Sequence, residues 1–140
     1  MDGTGGVERL TTAAADETHI PESWSPDGRV ISYAVLKSSR YSLWTLTLAT
    51  KRGEAFGGVQ SRNPIGSVFS PDGRWIAYAA APTEDTRSTD RGVFVRPFPA
   101  NSGVYQAPRQ IVDSSPVWTP DGSELMFVAS GVRARWPPCG

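Results

Sequence analysis

Three aspartates have the clearest capacity for chemistry, because each occupies the same local motif. Asp27, Asp72 and Asp121 each lie between a proline and a glycine. Repeated carboxylates of this kind are candidates for metal ligands or for catalytic acids and bases. However, an Asp in a tight turn accepts hydrogen bonds from nearby backbone N–H groups, and motifs in separate repeats need not converge on one site. A structural role in turns is therefore the favoured interpretation, and no metal ion or other cofactor is predicted.

A serine nucleophile is the second kind of chemistry that the sequence suggests. Ser25 and Ser70 precede the prolines of two motifs, but the chain contains no Gly-x-Ser-x-Gly turn of the kind that exposes a hydrolase nucleophile. The single histidine, His19, follows acidic and polar residues and is expected to be a solvent-exposed loop residue. The sequence therefore predicts no catalytic residues, and the protein is expected not to be an enzyme.

Residues 83–91 contain three acidic residues and two arginines. A calcium loop needs alternating Asp or Asn, then Gly and a distal Glu, and this segment lacks that spacing. A long solvated hairpin loop is predicted, and because such loops protrude, it is the segment expected to contact a partner. Cys139 is the single cysteine, which excludes an internal disulfide and a thiolate metal site.

Composition narrows the class of protein further. The 140 residues include 14 basic and 14 acidic side chains, so the basic excess of a nucleic-acid-binding protein is absent and no nucleic-acid partner is expected. No apolar run reaches the roughly 18 residues of a membrane helix, and the first residues lack a signal-peptide pattern, so no membrane association is expected. The 14 glycines and 12 prolines favour short strands joined by tight turns.

The aspartates mark an internal repeat. Residues 23–34, 67–79 and 116–128 align on an aromatic residue followed by Ser or Thr, Pro, Asp and Gly. The aspartates are 45 and then 49 positions apart along the chain. Pro sets φ for the first central position of a type I turn, and Gly takes the left-handed position that follows. The predicted structural turn residues are Pro26, Asp27, Gly28, Pro71, Asp72, Gly73, Pro120, Asp121 and Gly122.

Each turn must join two strands. The aromatic residue before it ends one strand, and an apolar run after it begins the next, which should be central in its sheet because both of its faces are apolar. Residues 41–48 and 92–98 read as third strands, and weaker outer strands are expected around 53–56 and 109–112. Four strands in each repeat of 45 to 49 residues is typical of a propeller blade.

The fold predicted is all-β, a partial β-propeller of about two and a half four-stranded blades. Its boundaries are a flexible N-terminus at 1–7, a trailing strand at 8–12, blades at 21–57 and 64–112, a half blade at 116–128 and an irregular tail at 129–140. Propellers close with about four to eight blades, so this chain is expected to stay open by itself.

The motif Trp24-Ser25-Pro26-Asp27-Gly28 with its following apolar strand resembles the TolB-type propeller repeat. That repeat also occurs in prolyl-oligopeptidase-like and bacterial sensor propellers, and residues 93–99 are similar to a blade strand in propellers attached to bacterial serine/threonine kinases. The resemblance covers about residues 8–128, and it departs from the pattern at Thr119 and Ser123. Family members are often periplasmic or attached to membrane kinases, whereas the compartment of this chain is not indicated.

The function predicted is a non-catalytic protein-binding or scaffold module. The alternative is the propeller part of a prolyl-oligopeptidase-like serine peptidase, which would be inactive without its hydrolase domain. A protein partner or additional propeller blades are expected, and so is self-association, because open blade faces leave apolar patches that monomers seldom tolerate.

Overall fold

The computed structural model describes residues 7–80, 92–100, 103–107 and 114–128, and every regular element in these ranges is a β-strand. Within the described ranges, ten strands form three antiparallel sheets, which confirms the all-β prediction. The strands are β1 (Glu17–Trp24), β2 (Val30–Lys37), β3 (Arg40–Thr47), β4 (Arg52–Ser61), β5 (Val68–Phe69), β6 (Trp75–Ala80), β7 (Gly92–Pro97), β8 (Tyr105–Gln106), β9 (Ser114–Trp118) and β10 (Leu125–Val128).

Each sheet is a meander in which consecutive strands are neighbours. Strands β1–β4 form one four-stranded sheet, here called blade 1, and β5–β8 form a second, blade 2. Strands β9 and β10 pair as a two-stranded sheet, here called the half blade. The same register recurs in all three, because Trp24 pairs with Ile31, Phe69 with Ile76 and Trp118 with Leu125. The three repeats therefore fold into equivalent units.

The second strand of each complete blade is its most buried element. Five consecutive residues of β2 are buried, and so are five of the six residues of β6. Each lies between two neighbours in its sheet, and apolar side chains on both faces pack against other sheets or segments. The prediction of central, doubly buried strands is confirmed for β2 and β6.

Apolar clusters join the sheets face to face. Phe56 and Val59 of blade 1 pack with Ile76 and Tyr78 of blade 2. On the other side of blade 2, Ala77, Val93 and Val95 pack with Trp118, Leu125 and Phe127 of the half blade. The first strands also follow one another, since β1 contacts β5 and β5 contacts β9. The sheets are therefore stacked in sequence order, with their first strands on the same side of the stack.

The predicted boundaries differ from the structure at several places. Residues 8–12 form no strand, and Leu10 instead packs against Tyr33 and Leu46 on the outer face of blade 1. A strand at 8–12 would need a hydrogen-bonding neighbour, and none of the described strands pairs with this segment. The outer strand of blade 2 that pairs with β7 is at 105–106. The strand predicted at 109–112, the loop at 83–91, the tail at 129–140 and residues 1–6 lie outside the described residues.

Candidate functional site

The turn after β1 is held by a hydrogen-bond network within six residues. The Ser25 hydroxyl donates to Asp27 Oδ1 at 2.6 Å, and the same carboxylate oxygen accepts the Arg29 N–H at 3.0 Å. Ser25 Oγ in turn accepts the Val30 N–H at 3.0 Å. The Ser25 N–H donates to the Val30 carbonyl at 2.8 Å, which closes the hairpin. One serine and one aspartate therefore order the whole turn.

The same network recurs in the other two repeats. Ser70 donates to Asp72 at 2.6 Å, and Thr119 donates to Asp121 at 2.7 Å. In the third repeat Thr119 replaces Ser, and its hydroxyl makes both hydrogen bonds of the corner. It donates to Asp121 and accepts the Glu124 N–H at 3.0 Å. The three glycines have φ of 73°, 74° and 73°, the left-handed conformation that favours Gly. The structure thus places all nine predicted turn residues in three equivalent corners.

The hydrogen bonds lower the pKa values of all three carboxyls. At Asp27 the Ser25 hydroxyl is the largest cause of the lowered pKa, followed by the Arg29 N–H. At Asp72 burial acts to raise the pKa, but the Ser70 hydroxyl and the Arg74 N–H outweigh it together. The pKa of Asp121 falls to about 2, because the Ser123 N–H and two hydroxyls stabilise its ionised form. These carboxylates are ionised at neutral pH and engaged within their own turns.

The corners lie against one another although they belong to different sheets. A Cβ atom placed on Gly73 would be 3.4 Å from Cδ of Pro26, and one on Gly122 would be 3.5 Å from Cδ of Pro71. Sequence reasoning allowed the corners to be separate, whereas the structure stacks them in order along one end of the three sheets. They form a continuous arc and not a pocket of converging side chains.

A polar cluster between blades 1 and 2 was missed by sequence reasoning. The Glu22 carboxylate accepts the N–H groups of Gly66 at 3.0 Å and Ser67 at 2.7 Å, and it also accepts the Ser67 hydroxyl. The Ser67 hydroxyl lies 2.8 Å from the hydroxyl of fully buried Ser32. Glu22, Ser67 and Pro116 occupy equivalent positions of the repeat, and no local pattern marks the contact between Glu22 and Ser67.

Tyr78 and Arg96 form a second polar contact beside the same junction. Arg96 Nε donates to the Tyr78 hydroxyl oxygen at 2.9 Å. Burial raises the pKa of Tyr78, and the nearby guanidinium opposes part of that rise. Gly57 makes room for the arrangement, because a Cβ atom there would be 2.8 Å from Arg96 Nε. The contact therefore depends on a glycine in the preceding blade.

Among the residues that the structure describes, no serine-histidine site is assembled. His19 lies in β1 and is half-buried, so its prediction as an exposed loop residue is wrong. Strand β1 begins at Glu17, four residues earlier than predicted, and this places His19 on the sheet. The His19 Nδ1 atom lies 2.8 Å from Thr11 Oγ1, and its ring centre lies 5.4 Å from that of Tyr33. Ser25 and Ser70 direct their hydroxyls to Asp27 and Asp72 instead.

The described residues contain no group of three or more His, Cys, Asp or Glu side chains arranged to hold a metal ion. In the same part of the chain, no helix has the length and apolar character that crossing a membrane requires.

Trp24 is exposed at a position that the other two repeats bury. Its side chain is 59% exposed, whereas Phe69 and Trp118, its equivalents in the next two sheets, are 7% and 8% exposed. Trp118 packs between two sheets, and its indole N–H donates to the Val68 carbonyl of blade 2 at 3.3 Å. Blade 1 thus presents an aromatic surface that is a sheet-to-sheet contact elsewhere in the molecule.

The corner arc and the stacked meanders define a β-propeller architecture. Comparisons with solved structures bear this out. TolB from Acinetobacter baumannii superposes with a TM-score of 0.72 at 17% identity, covering 95% of this chain and 32% of TolB. An oligogalacturonate lyase in complex with manganese superposes with a TM-score of 0.65 at 18% identity, covering 98% of this chain and 40% of the lyase. The fold is a partial, open β-propeller of the TolB-like type.

Sequence comparisons point in the same direction. No protein-family model matches the chain. An uncharacterised protein of Agrobacterium fabrum is 24% identical over 181 aligned positions, which cover 91% of this chain and 60% of the relative. The Tol-Pal system protein TolB of Anaeromyxobacter dehalogenans is 32% identical over 81 positions, 58% of this chain and 18% of that TolB. The chain thus spans less than two thirds of either relative, and these similarities support a TolB-type propeller module.

Proposed function

We propose that the chain is a non-catalytic protein-binding module that uses the open face of its first blade. The observation that carries the proposal is the 59% exposure of Trp24 at a position that both other repeats bury. Exposed aromatic side chains on an otherwise ordered sheet are favoured anchors in protein interfaces, because they bury a large area at low cost in side-chain entropy. The similar proteins agree in part, since TolB is named as a component of the Tol-Pal system.

The polar residues of the repeat support a non-catalytic role. The three corner aspartates are engaged in their own turns by hydroxyl and backbone donors. The similarity to an oligogalacturonate lyase is at the level of fold, and a fold hosts many unrelated activities. A serine peptidase or a kinase-attached sensor as the parent protein stays a prediction, because no observation favours either.

Site-specific photocrosslinking in bacterial cells tests the proposal. A benzophenone amino acid would replace Trp24 in one variant of the full chain and Val104, which is 42% exposed on blade 2, in a matched control. We expect position 24 to yield a discrete protein adduct, identified by mass spectrometry, and position 104 to yield none. Absence of a specific adduct at position 24 would refute protein binding through this face.

The structural similarity to an oligogalacturonate lyase gives a separate test of the non-catalytic role. The purified chain would be incubated with oligogalacturonate and manganese, and unsaturated products would be followed by ultraviolet absorbance. We expect no product above the protein-free control, and a sustained enzyme-dependent rate would overturn the non-catalytic assignment.

A further inference from the structure

The two ends of the sheet stack present the two opposite sides of the contact that sheets make inside the chain. The first end, here called the head face, presents Trp24 and Gly28 of blade 1. The other end, here called the tail face, presents Val117, Pro120 and Val128 of the half blade. Val117 and Val128 are 53% and 58% exposed, on the side of the half blade opposite buried Trp118 and Phe127. Trp24, Val117 and Val128 hold positions that are buried or partly buried where sheets meet inside the chain.

The internal junction between blade 2 and the half blade shows how such faces fit. Trp118 donates its indole N–H to the carbonyl of Val68, while Gly122 lies against Pro71. On the head face, Trp24 and Gly28 hold the positions of Trp118 and Gly122, and among the described residues beyond its chain neighbours no atom lies within 4 Å of a Cβ placed on Gly28. On the tail face, Val117 and Pro120 hold the positions of Val68 and Pro71.

We propose that two copies of this chain join head to tail, each head face docking on the tail face of the other copy. The Trp24 indole N–H donates to the main-chain carbonyl of Val117 of the second copy, and Gly28 lies against Pro120 of the second copy. The inference rests on the proposed function, protein binding through the open face of blade 1, and names the partner as a second copy.

A second copy fits because the contact continues the stacking of corners that the chain already makes twice, at Gly73 against Pro26 and at Gly122 against Pro71. Two copies contribute four complete blades and two half blades, within the range of about four to eight at which propellers close. The ring has cyclic two-fold symmetry, so both junctions are identical. The formal net charge of zero adds no overall repulsion between copies.

Residues 8–12 add a further element to the junction. Leu10 packs on Tyr33 and Leu46 of blade 1. Phe56, from the outer strand of blade 1, packs in the same way on Tyr78 of blade 2. The segment therefore lies where the outer strand of a preceding blade would lie, and in the ring that blade is the half blade of the second copy, which has only β9 and β10 among the described residues.

The mass of the full chain in solution is the first test, measured by sedimentation velocity across micromolar concentrations. We expect twice the chain mass of 15.1 kDa for the wild type. We expect loss of the dimer for Trp24→Lys, and retention of the dimer for the matched control Val104→Lys. Circular dichroism would check that each variant is folded. A monomeric wild type, a polymer that grows with concentration, or a dimer that persists in folded Trp24→Lys would overturn the proposal.

A mixing experiment tests the head-to-tail geometry. Val117→Glu alone is expected to be monomeric, like Trp24→Lys alone. An equimolar mixture should regain the dimer, because one junction is then unaltered and the other pairs the introduced lysine with the introduced glutamate across the interface. Failure of the mixture to dimerise would refute head-to-tail contact.

The crosslinking experiment separates this inference from the function on which it rests. An adduct at position 24 with a second copy of the chain supports both. An adduct with a different protein overturns the dimer but leaves the binding face in place, and the lack of any adduct overturns both.

Discussion

Gly73 of blade 2 lies against Pro26 of blade 1, so that a Cβ atom on the glycine would be 3.4 Å from Cδ of the proline. Gly122 and Pro71 repeat this contact in the next pair of sheets, at 3.5 Å. The Pro-Asp-Gly motif therefore has two roles. Within one sheet it turns the chain between two strands, and between sheets its glycine faces the proline of the preceding corner.

Removing a corner carboxylate should destabilise the fold. Asp72→Ala leaves the Ser70 hydroxyl and the Arg74 N–H without their acceptor, which at typical hydrogen-bond values costs about 1–2 kcal/mol in the free energy of unfolding. Urea unfolding followed by tryptophan fluorescence measures the change. Asp16→Ala is the control, because Asp16 is 62% exposed and pairs with Lys37 at the surface. Equal effects of the two substitutions would refute the structural role of the corner.

The corner carboxylates should also make stability depend on pH in acid. The pKa of Asp121 is lowered from its ordinary value of 3.8 to about 2 in the folded chain. Such a group stabilises the fold above its unfolded pKa, and that contribution is lost as the pH falls through the folded value. Asp121→Asn removes this titration. We expect the variant to be less stable than the wild type at neutral pH, and the difference to shrink between pH 3.8 and about 2.

Urea midpoints at several pH values in that interval measure the effect. A difference between wild type and Asp121→Asn that stays constant down to the lowest pH would contradict the assignment of the Thr119 and Ser123 donors.

Glu22 should contribute more to stability than other surface acids. Glu22→Ala leaves the N–H groups of Gly66 and Ser67 without their charged acceptor, and we expect a loss of about 2–3 kcal/mol, typical for hydrogen bonds to charged groups. Glu54→Ala, at an exposed position of β4, is the matched control and should change stability by less than about 0.5 kcal/mol. Thermal and urea unfolding of both variants would decide this, and a Glu22 effect as small as the control would show that the inter-blade cluster is dispensable.

Two adjacent glycines offer a test of the Tyr78–Arg96 contact. Gly57 and Gly58 have φ of 61° and 65°, so Ala at either position carries a similar backbone penalty of about 1 kcal/mol. Only Gly57 faces Arg96, and a Cβ there forces the guanidinium away from the Tyr78 hydroxyl. We expect Gly57→Ala to be less stable than Gly58→Ala by about 1 kcal/mol, the value of one hydrogen bond. Indistinguishable unfolding curves would contradict this.

The sequence by itself determined the corners and the strands that they join. Residues that are two to five positions apart, such as Ser25, Asp27 and Val30, complete each turn without help from the rest of the chain. The alternation of apolar residues likewise predicted β2 and β6, since side chains of a strand point to opposite faces. The all-β class and the open propeller followed from the number and spacing of these units, and the TolB-like type was implied by the resemblance of the Trp24–Gly28 motif to that repeat.

Only the tertiary structure decided which residues meet between the units. Glu22 and Ser67 are 45 positions apart, and their contact depends on how blade 2 is rotated against blade 1, which no local pattern encodes. For the same reason the structure was needed to show that the corners touch, that His19 lies on a strand, and that Trp24 is exposed while Trp118 is buried. Equivalent residues in a repeat share their backbone conformation, but their environment depends on whether another sheet packs against them.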